Sequence, residues 1–324
     1  MATATTAPTF LHGKNTRVVF VNPSFTSATL LVNTTNLSTQ IVALSSTASV
    51  AIGQAITGSG IPSSTTIVGI SGQTITLSAA ATATASGVSL TVSSAGIGYD
   101  FSPFFNDVST NMAIEASETT TFLQNGTKTY IPGIKEGAMT LAGFYDGTVS
   151  GVDAIFQTAL TNSGDEGVAV WPGGGLTENE RCFMAQVIET KYDLKSPVNG
   201  VVAADMDLQA DGGVWRGHGS YYPSASASGS STPYTGKPAS ASGTASTSRG
   251  GLLLLGFMPT SGSGTWSLTF QHSQDNSAWT TLATVSSPGA QIVVIPGTIY
   301  QYTQLAWTLT GTGTASIFYG FARY

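Results

Sequence analysis

Apolar residues recur at every second position through most of this chain, and this period constrains the fold more than any other feature of the sequence. Trp266, Leu268 and Phe270 alternate with small or polar residues, as do the apolar residues of the segment 88–92. A period of two places successive side chains on opposite faces of a β-strand. Charged residues make up only 9% of the chain, and small residues replace them, which is typical of short strands joined by tight turns. The sequence therefore predicts an all-β protein with little helix.

One segment follows a helical period instead. Five apolar residues have the spacing of a single buried helical stripe, namely Val152, Ile155, Phe156, Ala159 and Leu160. Ser150 suits the N-terminal cap and Gly164 suits the C-terminal end. We expect one helix here, packed against a sheet.

Charge divides the chain into three parts. Residues 100–211 hold sixteen acidic and five basic side chains, a net charge of −11, whereas the segments before and after carry +2 and +3. Residues 25–98 have no charged side chain at all, and residues 219–250 have the Ser, Ala and Gly content of a linker. The predicted units are a discontinuous main domain at 1–24 and 97–218, an inserted uncharged β module at 25–96, a linker at 219–250 and a C-terminal β-sandwich at 251–324.

Several classes of function lack a sequence signal. The single cysteine, Cys182, excludes an intrachain disulfide and is expected to be a buried apolar residue. The three histidines have no metal-ligand spacing, and no nucleophile motif or phosphate-binding loop is present. The first residues lack the apolar core of a signal peptide, and the longest aliphatic run, Leu252 to Leu255, is too short to cross a bilayer. We expect a protein that is folded in a cytoplasm-like compartment, has no membrane anchor, needs no cofactor or metal, and is not an enzyme.

Carboxylates recur on one face of three predicted strands. The residues expected to face the core are Met112, Ile114, Met139, Leu141, Met206 and Leu208. The opposite face would then carry Glu115, Glu136, Asp205 and Asp207. This face is either an ordinary solvated surface or the lining of a space whose contents must not adhere to it.

A Thr-rich arm separates the first two of these strands. It runs from Ser117 to Gly133 and contains an Asn-Gly turn at Asn125 and Gly126. An arm of this length is much longer than a hairpin needs. The sequence therefore suggests that the arm reaches for something beyond its own sheet.

The segment from Tyr99 to Gly147 resembles the centre of the major tail, or tail tube, proteins of long-tailed bacteriophages. The positions that match an opening motif are Asp100, Ser102, Phe105, Asn106 and Val108. The positions that match the arm are Glu118, Thr119, Thr120, Phe122, Lys128, Tyr130, Ile131, Pro132 and Gly133, and a strand end matches at Gly143 to Gly147. The similarity extends over about residues 10–24, 97–217 and 250–324, where Phe270 to Val285 resembles an extra C-terminal domain of some tail tube proteins.

This resemblance implies a β-sandwich or barrel with one flanking helix and two small β-sandwich decoration domains. It implies six-subunit rings that stack into a tube within the virion, with assembly in the host cytoplasm. The partners that it implies are further copies of the chain, a tape measure protein, and tail terminator and distal tail proteins. The inter-ring arm would use Glu118, Thr120, Phe122, Leu123, Asn125, Gly126, Lys128, Tyr130 and Ile131. The acidic face would line the bore, through which genomic DNA passes without specific binding.

Two other classes of function remain as alternatives. A surface adhesin built from glycan-binding β-domains would share the composition, although the acidic middle segment and its helix favour the first hypothesis. A glycan-degrading enzyme would need paired carboxylates in a cleft, for which Glu115 with Glu136, or Asp205 with Asp207, are the candidates. Their period-two spacing on an open face favours a surface instead.

Overall fold

The computed structural model describes residues 15–24, 27–47, 50–119, 128, 130–146, 153, 155–156, 166–236, 245–247 and 249–324. These residues lie mostly in strands, numbered β1 to β23 in chain order, so the predicted all-β class is confirmed. Among the described residues, none belongs to a helix with the length and apolar character needed to span a bilayer.

The largest sheet has ten strands. They are β1 (Arg17–Ser24), β8 (Ala95–Asp100), β9 (Phe105–Glu118), β10 (Tyr130–Phe144), β11 (Glu166–Trp171), β12 (Glu180–Lys195), β13 (Ala203–Ala225), β17 (Gly251–Gly262), β20 (Gly289–Ile295) and β23 (Gly313–Arg323). Eight of them follow the order β20-β17-β23-β13-β12-β11-β1-β8. The described pairs within this order are antiparallel.

This eight-stranded path curls until its two ends meet. Gly289 in β20 lies so close to β8 that a Cβ on it would be 2.3 Å from the oxygen of Gly96. Glycine is required at this approach, since Gly289 also has a φ of +141°. The interior holds a buried cluster that includes Val19, Trp171 and Cys182. Cys182 is fully buried, as predicted, and burial raises the pKa of its thiol.

The remaining two strands branch from β13. Residues 203–209 of β13 pair with β10, and β10 pairs with β9 in a long hairpin. Residues 218–225 of β13 pair instead with β23. One continuous strand therefore joins the hairpin, which carries the predicted arm and acidic face, to the closed part of the sheet.

A second layer covers one side of β17 and β23. Its strands are β14 (Gly229–Ser230), β15 (Tyr234–Thr235), β18 (Thr265–Ser273), β19 (Thr280–Val285) and β22 (Tyr302–Thr310), and a separate pair consists of β16 (Ala245–Thr247) and β21 (Ile299–Tyr300). Trp266, Leu268 and Phe270 are buried between the layers, as their alternation predicts. These layers form a sandwich, but one of its two layers belongs to the main sheet.

This sharing corrects the expectation of a sandwich that is separate from the rest of the chain. The aliphatic run explains the difference, because all four leucines are buried on alternating sides of β17. Leu252 and Leu254 pack inside the curled sheet, whereas Leu253 and Leu255 pack against the second layer. A strand that is covered on both faces reads as a continuous apolar run.

The linker predicted from residue 219 also needs correction at its start. β13 continues through Ala225, and Ser220 and Tyr222 pair with Tyr319 and Ile317 of β23. The Ser- and Ala-rich composition hid this strand, because cross-strand packing rather than side-chain polarity holds it in place. The domain boundaries as a whole remain predictions.

Residues 28–92 form a sheet of six strands. They are β2 (Ala28–Thr34), β3 (Gln40–Ala43), β4 (Ile56–Gly58), β5 (Ile67–Ser71), β6 (Thr74–Leu77) and β7 (Ala85–Val92), in the order β4-β7-β2-β3-β6-β5. Its edges join where Ala55 bridges Thr66, flanked by hydrogen bonds from the amides of Ile56 and Ile67. The closed sheet surrounds a cluster of ten buried apolar side chains. Closure at this bridge brings the two edge strands together, which limits their pairing with other chains.

Part of the predicted helix lies within the described residues. Asp153, Ile155 and Phe156 are helical, and the other positions of the predicted stripe lie outside the described residues. Phe156 is fully buried, with its ring centroid 4.9 Å from that of Phe20 and 5.2 Å from that of Phe101. The side chain therefore packs on the sheet as expected.

Candidate functional site

The acidic face is a continuous surface of four strands. The register pairs Thr140 with Asp207 and Ala142 with Asp205, which places both aspartates on the same face as Glu136. Glu136 pairs with Ala113, and alternation along β9 places Glu115 on this face as well. The four predicted carboxylates therefore share one face, with Glu115 and Glu136 exposed and Asp205 and Asp207 half-buried.

Sequence reasoning missed four further charged residues on the same face. Asp107 pairs with Ala142, and β12 contributes Lys191, Asp193 and Lys195. The β12 residues could not be assigned from alternation, because a register shift between Glu189 and Lys191 changes which side chains point outward. The acidic face, as defined from here on, consists of Asp107, Glu115, Glu136, Lys191, Asp193, Lys195, Asp205 and Asp207.

The two lysines neutralise part of the acidic face. Lys195 forms an ion pair with Asp205, and the Nζ atom of Lys191 lies 2.6 Å from Asp193 Oδ2 and 3.9 Å from Asp207 Oδ2. The hydrogen bond to Asp193 raises the pKa of Lys191. Six carboxylates against two lysines leave four net negative charges, and Glu115 and Glu136 lie away from both lysines along the hairpin. Of the six carboxylates, Asp107 borders a cavity of about 500 Å³ that Ser102 and Phe105 also line.

The opposite face of β9 differs from its prediction. Met139, Leu141, Met206 and Leu208 are buried in one core cluster, as expected. Met112 and Ile114, however, are 53% and 57% exposed. The expectation that they face the core is wrong for the isolated chain, because the hairpin extends past the cluster and nothing in the described part of the chain covers them.

β9 is also an open sheet edge. Within the described ranges its only partner is β10, and residues 111–116 are all exposed. A strand of 14 residues with one unpaired edge is a template for pairing with another chain.

The arm continues from this hairpin. The Nζ atom of Lys128 lies 2.9 Å from Glu118 Oε2, so an ion pair links the two sides of the arm. Tyr130 and Ile131 are 54% and 56% exposed. The other arm residues named from the sequence, Thr120, Phe122, Leu123, Asn125 and Gly126, lie outside the described residues.

No protein-family model matches the sequence, and no curated protein matches it. Several solved structures contain similar chains, of which three are described. One is from the virion of a native gene transfer agent particle, with 12% identity and a TM-score of 0.29 over 34% of this chain and 82% of that one. Another is from the baseplate of the anti-feeding prophage, with 12% identity and a TM-score of 0.30 over 37% of this chain and 83% of that one.

The third is the Dit protein of phage SPP1, described as a hub adsorption apparatus of phages that infect Gram-positive hosts. Its identity is 11% and its TM-score is 0.28, over 69% of this chain and 96% of that one. Similarities at TM-scores near 0.3 carry no argument about the function of this chain.

Proposed function

We propose that this chain is the structural subunit of a bacteriophage tail tube. Copies would pair through sheet edges into six-membered rings, the rings would stack through the arm, and the acidic face would line the bore for DNA. The tail tube assignment and the count of six subunits in a ring come from the sequence resemblance over Tyr99 to Gly147. The observation that carries the proposal is the open edge of β9 with its exposed Met112 and Ile114.

The edge and its apolar side chains need a partner. At about 3.3 Å per residue, β9 presents an edge of roughly 45 Å, and such an edge favours association with other chains unless a partner pairs with it. Met112 and Ile114 are about half exposed, so burying the rest of each side chain contributes about 1 kcal/mol. A second copy of the chain provides both backbone pairing and apolar burial.

The opposite side of the same four-stranded layer supplies a complementary edge. In the described residues, β11 pairs with β12 only as far as Val187, so residues 189–195 of β12 pair with β13 alone. This edge carries two acids, Glu189 and Asp193, and two lysines, Lys191 and Lys195, so it has no net charge, whereas β9 carries three carboxylates and no basic residue. The exposed lysines of the β12 edge are therefore the groups that would meet the carboxylates of β9 in the next copy. Two different edges make a heterologous contact, which closes into a ring when the rotation between successive copies is a whole fraction of a turn.

Stacking and passage of DNA complete the proposal. The arm begins at the end of the hairpin, and its exposed Tyr130 and Ile131 suit an apolar contact with the next ring. Four net negative charges per copy would give a six-membered ring about two dozen. A duplex with one charge for each ~1.7 Å of its axis is repelled by such a wall.

The first test is assembly of the purified chain, followed by negative-stain microscopy and by light scattering after size exclusion. We expect rings or tubes of constant diameter. Ile114→Asp should abolish them, because it places a charge in the apolar edge contact. Leu37→Asp, at an apolar residue of the inserted module that is at least as exposed, is the matched control and should assemble normally.

Two results would contradict the proposal. One is a wild-type chain that stays monomeric at every concentration, which would favour the adhesin alternative. The other is normal assembly of the Ile114→Asp variant, which would show that β9 is not the contact.

A further inference from the structure

Three arginines converge on a pocket that is remote from the acidic face. The pocket has a volume of about 260 Å³ and lies where β12, β13 and β23 are neighbours, with Tyr234 and Gly236 closing one side. Arg181 pairs with His218, and His218 pairs with Phe321 on the following strand. Alternation along β13 and β23 adds Arg216 and Arg323 to the same side. Nine positions along β13 separate Arg216 from Asp207 of the acidic face.

The pocket has positive charge without a balancing acid. No carboxylate is among its lining residues, and the sequence contains no Asp or Glu between Asp211 and Asp275. The ion pairs found in the described parts of the chain involve none of the three arginines. Three guanidinium groups near one cavity repel one another, so an anion that binds among them is stabilised.

Arg323 forms the fixed base of the pocket. One of its terminal nitrogens donates hydrogen bonds to the carbonyl oxygens of Tyr300 and Gln301, at 2.9 Å and 3.2 Å. Its Nε–H is buried and has no acceptor. Burial lowers the pKa of Arg323 to about 10, so the group stays charged at neutral pH. Gly236 allows this close packing, because a Cβ there would lie 2.5 Å from the Arg323 Nη1 atom.

An aromatic wall borders these cations. The buried ring of His218 stacks on Tyr234, with 3.6 Å between ring centroids, and its Nε2 atom lies 3.2 Å from Thr303 Oγ1. Burial and the charge of Arg323 lower the pKa of His218 well below its usual value, so the imidazole is neutral. The charge of the pocket at neutral pH therefore comes from the arginines.

We propose that this pocket binds a phosphate monoester. One guanidinium satisfies the two oxygens of a carboxylate, whereas a monoester has three terminal oxygens for three arginines. The volume accommodates the phosphate and part of the group that carries it, next to Tyr234 and Phe321. The proposal does not depend on the tail tube function, because the pocket lies on another part of the chain surface.

Calorimetric titration with inorganic phosphate and with glucose 1-phosphate tests the proposal. We expect saturable binding of glucose 1-phosphate, weakened about tenfold or more by Arg216→Gln, because a charge-assisted hydrogen bond is lost. Arg216 is exposed, so this variant should fold normally, and Arg181→Gln at the other exposed rim position provides a second test. Lys191→Gln, which removes an exposed cation from the acidic face, is the matched control and should bind like wild type.

Comparison of the two ligands shows which part of the ligand the pocket recognises. Equal affinities would assign recognition to the phosphate alone, and tighter binding of glucose 1-phosphate would assign part of it to the aromatic wall. Absence of saturable binding of glucose 1-phosphate would overturn the proposal, whether or not inorganic phosphate binds. An equal loss in Arg216→Gln and Lys191→Gln would also overturn it, because binding would then follow net charge rather than the pocket.

Discussion

Glu189 is a buried carboxyl group whose pKa is raised to about 8, by burial first and by the nearby charge of Glu166 second. In the unfolded chain the group ionises near pH 4.5, so between about pH 4.5 and 8 the folded state holds a proton that the unfolded state has lost. The free energy of unfolding should therefore fall as pH rises through this window, by at most about 1.4 kcal/mol for each pH unit.

Glu189→Gln should remove this pH dependence, because an amide stays neutral at every pH. Urea unfolding at pH 5 and pH 8.5 measures the change of the free energy of unfolding with pH. The exposed Glu115→Gln is the control and should show the same change as wild type. An equal change of the free energy of unfolding with pH in wild type and Glu189→Gln would show that another group causes the pH dependence.

Sequence alone could not have identified Glu189 as a buried carboxyl group. It stands in an alternating run beside residues that point outward, and only the register shift next to it decides that Glu189 points inward while Lys191 points outward. The arginine pocket was hidden for a related reason. Arg181, Arg216 and Arg323 are far apart in the chain, and the order β12-β13-β23 brings them together. By contrast, Met139, Leu141, Met206 and Leu208 were correctly predicted as core, because both strands alternate regularly there.

At the scale of elements, Phe156 is the most deeply buried of the described residues of the helical segment. Phe156 contacts Phe20 and Phe101, and its ring also stacks on Tyr192 at 6.3 Å between centroids. Phe156→Ala should lower the free energy of unfolding by about 3–5 kcal/mol, because it removes a fully buried ring and leaves a cavity. Denaturant unfolding measures this, and the half-exposed Phe144→Ala should cost much less. Similar losses in both variants would mean that Phe156 is not a principal core contact.

The Glu118–Lys128 ion pair is expected to affect assembly but not the stability of the fold. Both side chains are largely exposed, and exposed pairs contribute at most about 1 kcal/mol to stability. Glu118→Lys should therefore leave thermal stability nearly unchanged but reduce stacking of rings, since like charges would push apart the two sides of the arm.

The exchanged pair, Glu118→Lys with Lys128→Glu, should restore stacking, and microscopy of both variants measures it. Restored stacking would show that stacking needs the attraction between the two positions, whichever of them carries the negative charge. Normal stacking of the single variant would contradict a role for this pair in the arm.

At the scale of the whole molecule, the sequence predicted the all-β class and the shared face of the carboxylates. It failed to predict burial where this depends on which other element packs against a strand. Alternation shows that a strand has an apolar side, but it does not show what lies against that side. Met112 and Ile114 therefore looked like core residues, although the isolated chain leaves them exposed. Leu252 to Leu255 show the converse, because two layers cover one strand. The proposed assembly resolves the first case by letting a second copy cover β9.

The charge of the bore provides the last prediction, and the ion pairs of the acidic face determine which residue to change. Asp205 already contacts Lys195, so its charge is partly neutralised, whereas Glu136 is exposed on the hairpin away from both lysines. Glu136→Lys changes the charge of each copy by two, and a six-membered ring by about a dozen. Wild-type tubes should not retain short duplex DNA, because the wall repels phosphate.

Tubes of Glu136→Lys should retain DNA at low salt and release it as salt rises, since the contact is electrostatic. Co-sedimentation of tubes with labelled duplex measures this. Thr57→Lys places the new charge on an exposed residue of the inserted module and should retain less DNA. Equal retention by the two variants would mean that the duplex binds the outer wall. No retention by Glu136→Lys would leave the acidic face without a role in DNA passage.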